Sequence, residues 1–189
     1  MALPEIIPTP RLRLEPFGEG HLTERYVGWL NDAELMRFSE NRHIRHTLDS
    51  CRAYWRSFDT APHLFWAIVA KDASLGHVGN ATAHVEERHG RADLGILIGE
   101  GAARGKGFAA EAWLGLCDHL FRSRGLRKLT AGAVAPHAAM LRVMHKAGMV
   151  EDGRRTAHSL WQGQPVDVIH YALFREEWLA RHPSPPATT

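Results

Sequence analysis

Residues 11 to 15 alternate polar and apolar, Arg11-Leu12-Arg13-Leu14-Glu15, the period-two rhythm of a strand with one buried face, and Pro16, Gly18 and Gly20 close the run. The rhythm then lengthens. Leu22, Tyr26, Trp29 and Leu30 recur at helical spacing, Asn31-Asp32 interrupts, and Leu35, Met36 and Phe38 fit a second short helical turn. Thr47 is placed to cap a further helix with Cys51, Tyr54, Trp55 and Phe58 on its apolar face and Pro62 beyond its end. Residues 64–70, 78–85 and 92–99 are strand-like runs separated by turn clusters at 72–76 and 86–91, which predicts an antiparallel meander. A helix follows, from after residue 103 to about 124, with Phe108, Ala112, Leu116 and Leu120 on one face and Gly125 as its stop. Residues 128–135 then read as a strand and 138–147 as a helix ended by Gly148; 154–161 and 166–174 read as two final strands joined through Gln162-Gly163-Gln164-Pro165.

This order predicts one mixed sheet with helices on its faces, a layered α+β or α/β fold. A chain of 189 residues supports one ordinary domain with one core, and a composition of 44% hydrophobic and 23% charged residues lies far from that of disordered chains. The 23 Lys and Arg against 21 Asp and Glu leave a net charge of only +2, without the one-sided basic balance of an electrostatically driven nucleic-acid binder. Two cysteines, Cys51 and Cys117, both in helical segments, do not make a disulfide framework, so a reduced cytoplasmic setting is expected. No apolar run has signal-peptide or membrane-spanning length, so neither export nor a membrane partner is expected. The Pro- and Thr-rich stretch from residue 182 to 189, like residues 1–8, is expected to be flexible.

The chemistry concentrates in Arg104-Gly105-Lys106-Gly107-Phe108-Ala109, between a predicted strand and a predicted helix. The first N–H groups of a helix lack intrahelical acceptors, glycines let backbone approach an anion closely, and the helix dipole favours negative charge there. Arg104 and Lys106 add two cations suited to a pyrophosphate. The same glycines also suit a plain strand-to-helix turn with solvated cations, so the turn alone leaves both readings open. A P-loop fails because Lys106 is followed by Gly107 rather than Ser or Thr. A dinucleotide fingerprint matches at Gly105, Gly107 and Ala110, but the next strand ends without its ribose-binding carboxylate.

Across residues 93–148 the chain resembles the GCN5-related N-acetyltransferases (GNAT). Arg104, Gly107 and Ala109 match the [QR]-x-x-G-x-[GA] acetyl-CoA loop, and the run 141–149 resembles the helix ending in a K-x-G-[FM] signature. Thr9-Pro10-Arg11-Leu12-Arg13-Leu14 and Trp29-Leu30-Asn31-Asp32 resemble the branch of ribosomal-protein N-terminal (RimJ/RimL-like) acetyltransferases and some amino-sugar acetyltransferases, and the resemblance extends over a single domain at residues 9–178. It implies a mainly antiparallel, seven-stranded sheet flanked by helices and splayed at the acetyl-CoA site, with acetyl-CoA as co-substrate and a primary amine, of a protein N-terminus or an amino sugar, as acceptor. A homodimer is left open.

By this resemblance Leu97, Ile98 and Gly99 present backbone to pantetheine and thioester, and Arg104, Gly105, Lys106, Gly107, Phe108, Ala109 and Ala110 hold the pyrophosphate. Two departures matter: His137 and Met140 stand where the family often has Asn and Ser, and Met144 where many members have a Tyr that can protonate the thiolate. His137 is therefore a candidate for both cofactor binding and catalysis, since its unperturbed pKa of about 6.5 suits proton transfer. Glu100, just past the cofactor strand, is the candidate general base, and the polar segment Glu40, Asn41, Arg42 and His43 is the candidate acceptor site. Although the chain has 13 histidines, no zinc-site spacing occurs and no metal is expected. The departures also keep open a CoA-binding or sensory module without catalysis, and the glycine match a dinucleotide-binding protein.

Overall fold

In a computed structural model, residues 4–60 and 62–183 are described. The strands are β1 (Ile7–Pro8), β2 (Leu12–Pro16), β3 (Leu64–Ala70), β4 (His77–Glu86), β5 (Arg91–Ile98), β6 (Lys128–Val134), β7 (Val150–Trp161) and β8 (Gln164–Phe174). The helices are α1 (Glu24–Asn31), α2 (Leu48–Arg56), α3 (Phe108–Arg122), α4 (Ala138–Lys146) and α5 (Arg175–Arg181). One sheet runs in the order β1-β2-β3-β4-β5-β6-β8-β7, with only β5 and β6 parallel. It has eight strands rather than the expected seven because Ile7 and Pro8 add a short edge opposite Leu14 and Arg13. The ordered fold thus starts upstream of residue 9, with Ile7 only 5% exposed.

Strand alternation divides the apolar side chains between two layers. One face of the sheet, carrying Leu12, Leu14, Trp66, Ile68, Leu94, Leu129 and Leu173, packs on α3, α4 and α5 through Trp113, Leu116, Leu120, Met144 and Trp178. The other face, with Phe65, Ala67 and Leu97, packs on α1 and α2 through Tyr26, Trp29 and Cys51. Burying a large apolar side chain contributes about 1.5–3 kcal/mol, so these two layers dominate the stability of the fold.

Helix starts follow their caps. Thr23 Oγ1 accepts from Tyr26 N, and Thr47 and Ser50 cap one another reciprocally. The run through Leu35, Met36 and Phe38 is a series of turns instead of a helix, and α3 begins at Phe108, not after residue 103, because Gly105 and Gly107 take φ of +74° and +80°. β7 starts at Val150, four residues earlier than the alternation suggested, and α5 has no counterpart in the sequence reading. α5 is anchored by Trp178, which donates from Nε1 to Asp118 Oδ1 at 2.9 Å and stacks on His182. Among the described residues, no helix is long and apolar enough to cross a membrane, and no group of three metal-ligating side chains converges.

Candidate active site

The sheet opens between β5 and β6. The two strands pair only at Arg91↔Lys128, Ala92↔Leu129 and Asp93↔Thr130, the last pair being closed by a 2.8 Å bond from Thr130 Oγ1 to Asp93 Oδ2. Beyond it β5 stays with β4, and β6 with β8. Into the gap runs a cavity of about 570 Å³, lined by Gly95, Ile96 and Leu97 of β5, Gly132 to Val134 of β6, and His137 and Met140 at the start of α4. The turns and helices of the α1–α2 layer roof it.

β5 ends in an irregularity. Gly99 N and Glu100 N both donate to Val78 O, at 3.0 and 3.1 Å, so the chain leaves the ladder with one carbonyl serving two amides, as at a bulge. Glycine is required at 99 for a further reason: a Cβ there would lie 2.0 Å from Trp29 Cδ2. Trp29 thus forms a lid over the strand that carries Leu97 and Ile98.

After that kink a short turn, Gly101–Ala103, leads to α3. Gly107 caps α3 in the left-handed conformation and offers no side chain, and the first bond into the helix is Glu111 N to Gly107 O at 3.1 Å. The N–H groups of Phe108, Ala109 and Ala110 are therefore free of intrahelical acceptors at the positive end of the helix dipole, beside the exposed Arg104 and Lys106. This fits the diphosphate of a CoA molecule: uncapped donors, two cations and glycines that leave room. Arg104 also has an unanticipated bond, from Nη2 to Gly99 O at 2.6 Å, which ties the loop to the end of β5.

The start of α3 is clamped by a group that sequence reasoning missed. Glu111 accepts from Thr9 Oγ1 (2.7 Å), Arg11 N (2.6 Å) and Arg11 Nε (2.6 Å), while Arg11 Nη1 donates to Lys106 O (3.0 Å) and its guanidinium lies 4.7 Å from the Phe108 ring centre. Burial opposes the charge on Glu111, but these bonds outweigh it and the carboxyl stays below its usual pKa. Thr9 and Arg11 stood out in the sequence only through family resemblance; their partner lies 100 residues away.

Glu100 and His137 occupy different surroundings. Glu100 Oε1 caps the following turn by accepting from Ala102 N at 3.1 Å, and Oε2 accepts from Arg25 Nε at 2.9 Å; the Ala102 amide and then Arg25 hold its pKa below the ordinary value. Both carboxylate oxygens are engaged away from the cavity. His137 caps α4, its Nδ1 accepting from Met140 N at 3.2 Å, and its ring meets Phe38 edge-on at 4.5 Å. Burial, reinforced by Arg37, depresses its pKa, so the ring is neutral at pH 7. Because Nδ1 is an acceptor, the proton sits on Nε2, which is a donor. Met144, in the position of the absent Tyr, is fully buried.

Of the candidate acceptor segment only Asn41 lines this cavity. Arg42 and His43 line a neighbouring cavity of about 310 Å³. Arg42 bonds Ser39 O, Glu40 Oε1 and Leu160 O, while the Glu40 side chain is 75% exposed. The short helix Glu40–His43 turns successive side chains about 120° apart, which is why the four do not act as one surface.

The Acetyltransferase (GNAT) domain family matches residues 11–150. No curated protein is detectably similar in sequence. Among solved structures, spermidine N-acetyltransferase from Vibrio cholerae in complex with CoA and spermine superposes with a TM-score of 0.79 at 18% identity, covering 89% of this chain and 98% of that one. Mycobacterium smegmatis RimJ in complex with CoA-disulfide gives 0.79 at 17% identity, covering 96% and 90%. The RimL ribosomal L7/L12 alpha-N-protein acetyltransferase in complex with coenzyme A gives 0.77 at 16% identity, covering 90% and 98%. With a splayed sheet, an uncapped glycine-rich helix start and a family match across 140 of its 189 residues, the chain belongs to the GNAT acetyltransferase family.

Proposed function

We propose that this protein transfers the acetyl group of acetyl-CoA to a primary amine of a protein N-terminus or an amino sugar. The observation that carries the reading is the continuity of the site. The strand segment Gly95 to Leu97 that lines the open cavity leads, through the Gly99 kink, to the uncapped start of α3. A bound acetyl-CoA supplies an activated acetyl thioester. Phe108, Ala109 and Ala110 N–H groups, with Arg104 and Lys106, hold its phosphates. The backbone of Leu97 and Ile98, free of β6, holds the pantetheine arm and thioester beside the gap.

The amine nitrogen bonds to the acetyl carbon, the carbon–sulfur bond breaks, the sulfur leaves as thiolate and the amine loses a proton. His137, which lines the cavity, donates from Nε2–H to the oxygen or sulfur on which negative charge develops. Glu100 acts in position, holding the turn after β5 and Arg25, rather than as the base. Proton uptake from the amine then falls to water. The experiment is free-thiol detection with acetyl-CoA and an acceptor panel of Ala- and Ser-initiated peptides and amino sugars. Amine-dependent thiol release supports the reading, and acetyl-CoA binding without turnover on any amine refutes it.

A further inference from the structure

β4 carries a polar pair that the acetyl-CoA reading does not use. A bulge at Val78, opposite the step between Ile68 and Val69, puts an extra residue between His77 and Asn80, so that side chains three apart lie on the same face of the sheet. Phe17, His21, Tyr26 and Trp29 enclose His77, with ring centres 5.0–6.3 Å away. His77 Nε2 lies 3.0 Å from Gly79 O and 3.0 Å from Asn80 Oδ1. A carbonyl oxygen can only accept, so Nε2 carries the proton, and the atom it meets on Asn80 is the oxygen. Burial, partly offset by the Asn80 bond, pushes His77 down to about 4, so the ring stays neutral in this role.

The consequence falls on the other end of the amide. Asn80 is 6% exposed, pairs across the sheet with Leu97 and lines the cavity. With Oδ1 held by His77, its Nδ2 group makes no hydrogen bond among the described residues and is the end left to serve the cavity. That cavity is otherwise walled by apolar residues, hydroxyls, amides and the two histidines His46 and His137, and no Asp, Glu, Lys or Arg among the described residues lines it. A second cation on the acceptor would be desolvated there with no countercharge.

We propose that Asn80, oriented by His77, is the donor that selects acceptors bearing an oxygen beside the primary amine and no second cation. This deepens and rests on the acetyltransferase reading. The oxygen could be a peptide carbonyl or a sugar hydroxyl, and the test separates the two. Thiol release is measured with an Ala- or Ser-initiated peptide, glucosamine, a simple alkylamine and spermidine, using wild type, Asn80→Leu, Asn80→Asp and His77→Phe, with acetyl-CoA thermal stabilisation as the folding control.

Wild type should prefer the peptide or the sugar, whichever carries the matching oxygen, over both oxygen-free amines. Asn80→Leu should lower kcat/KM for that acceptor about ten- to a hundredfold, a larger loss than it causes with the alkylamine. Asn80→Asp should shift the preference toward spermidine. His77→Phe, which keeps the ring but frees the amide, should raise the KM of the oxygen-bearing acceptor more than it lowers kcat. An Asn80→Leu variant that loses all amines equally while still stabilised by acetyl-CoA overturns the proposal and leaves the acetyltransferase reading standing; a wild type that turns over spermidine best overturns the proposal and the acceptor class, leaving only acetyl transfer from acetyl-CoA to an amine. Failure of wild type on every amine overturns both.

Discussion

Replacing Glu111 by Ala should separate the β1–β2 turn from the start of α3. The variant loses bonds to Thr9 Oγ1, Arg11 N and Arg11 Nε, and the Glu111 side chain is only 12% exposed. Hydrogen bonds to a charged group are worth about 1.5–3 kcal/mol each, and the low end applies to Thr9 Oγ1 and Arg11 N because the site lies at the surface. The Arg11 guanidinium is half exposed, so its ion pair adds under about 1 kcal/mol. A loss of about 3 kcal/mol follows, which for a chain of this size lowers Tm by roughly 6–12 °C. The sign with pH is fixed by the depressed carboxyl. The stabilisation is fully present above the unfolded carboxyl value of about 4.3 and is lost as pH falls through the lower folded value, so wild type and variant should converge in acid. Urea unfolding at pH 7 and pH 3 measures this. A Glu111→Ala variant within about 0.5 kcal/mol of wild type at pH 7 would refute the clamp, since surface changes of no structural consequence fall in that range.

Arg104→Glu and Gly107→Asp should each weaken acetyl-CoA binding at least tenfold by calorimetry, since both place negative charge at the α3 start and the first also removes the bond to Gly99 O. His137→Asn should keep acetyl-CoA affinity but flatten the acidic limb of the pH–rate profile. In wild type, protonating Nδ1 as pH falls through the depressed histidine value evicts the Met140 N–H, whereas Asn caps without titrating; an unchanged limb would show that the protonation of His137 does not limit turnover. Asn41→Ala should raise the acceptor KM several-fold with acetyl-CoA affinity unchanged, while Glu40→Ala is kinetically silent; the reverse result would move the acceptor site out of this cavity.

Much of the architecture was legible because burial is periodic. The alternation at residues 11–15 and the helical spacing of Phe108, Ala112, Leu116 and Leu120 reappear as fully or nearly fully buried positions. β1 escaped notice because two residues carry no period, and α5 because it buries one side chain, Trp178, among charged neighbours. Within the site, the glycine loop was readable as local chemistry, since adjacent residues make it. His77 and Asn80 were not, because period-two reading places residues three apart on opposite faces and only the bulge at Val78 reunites them. Glu100 looked free in sequence; its bonds to Ala102 and Arg25 depend on the fold.

The most direct measurement is mass spectrometry of the acceptor coupled to thiol titration in the same reaction. One acetylated amine should appear for each CoA thiol released, and both should fall together in Gly107→Asp. Thiol release without an acetylated amine, or acetyl-CoA binding with neither product, would contradict the account.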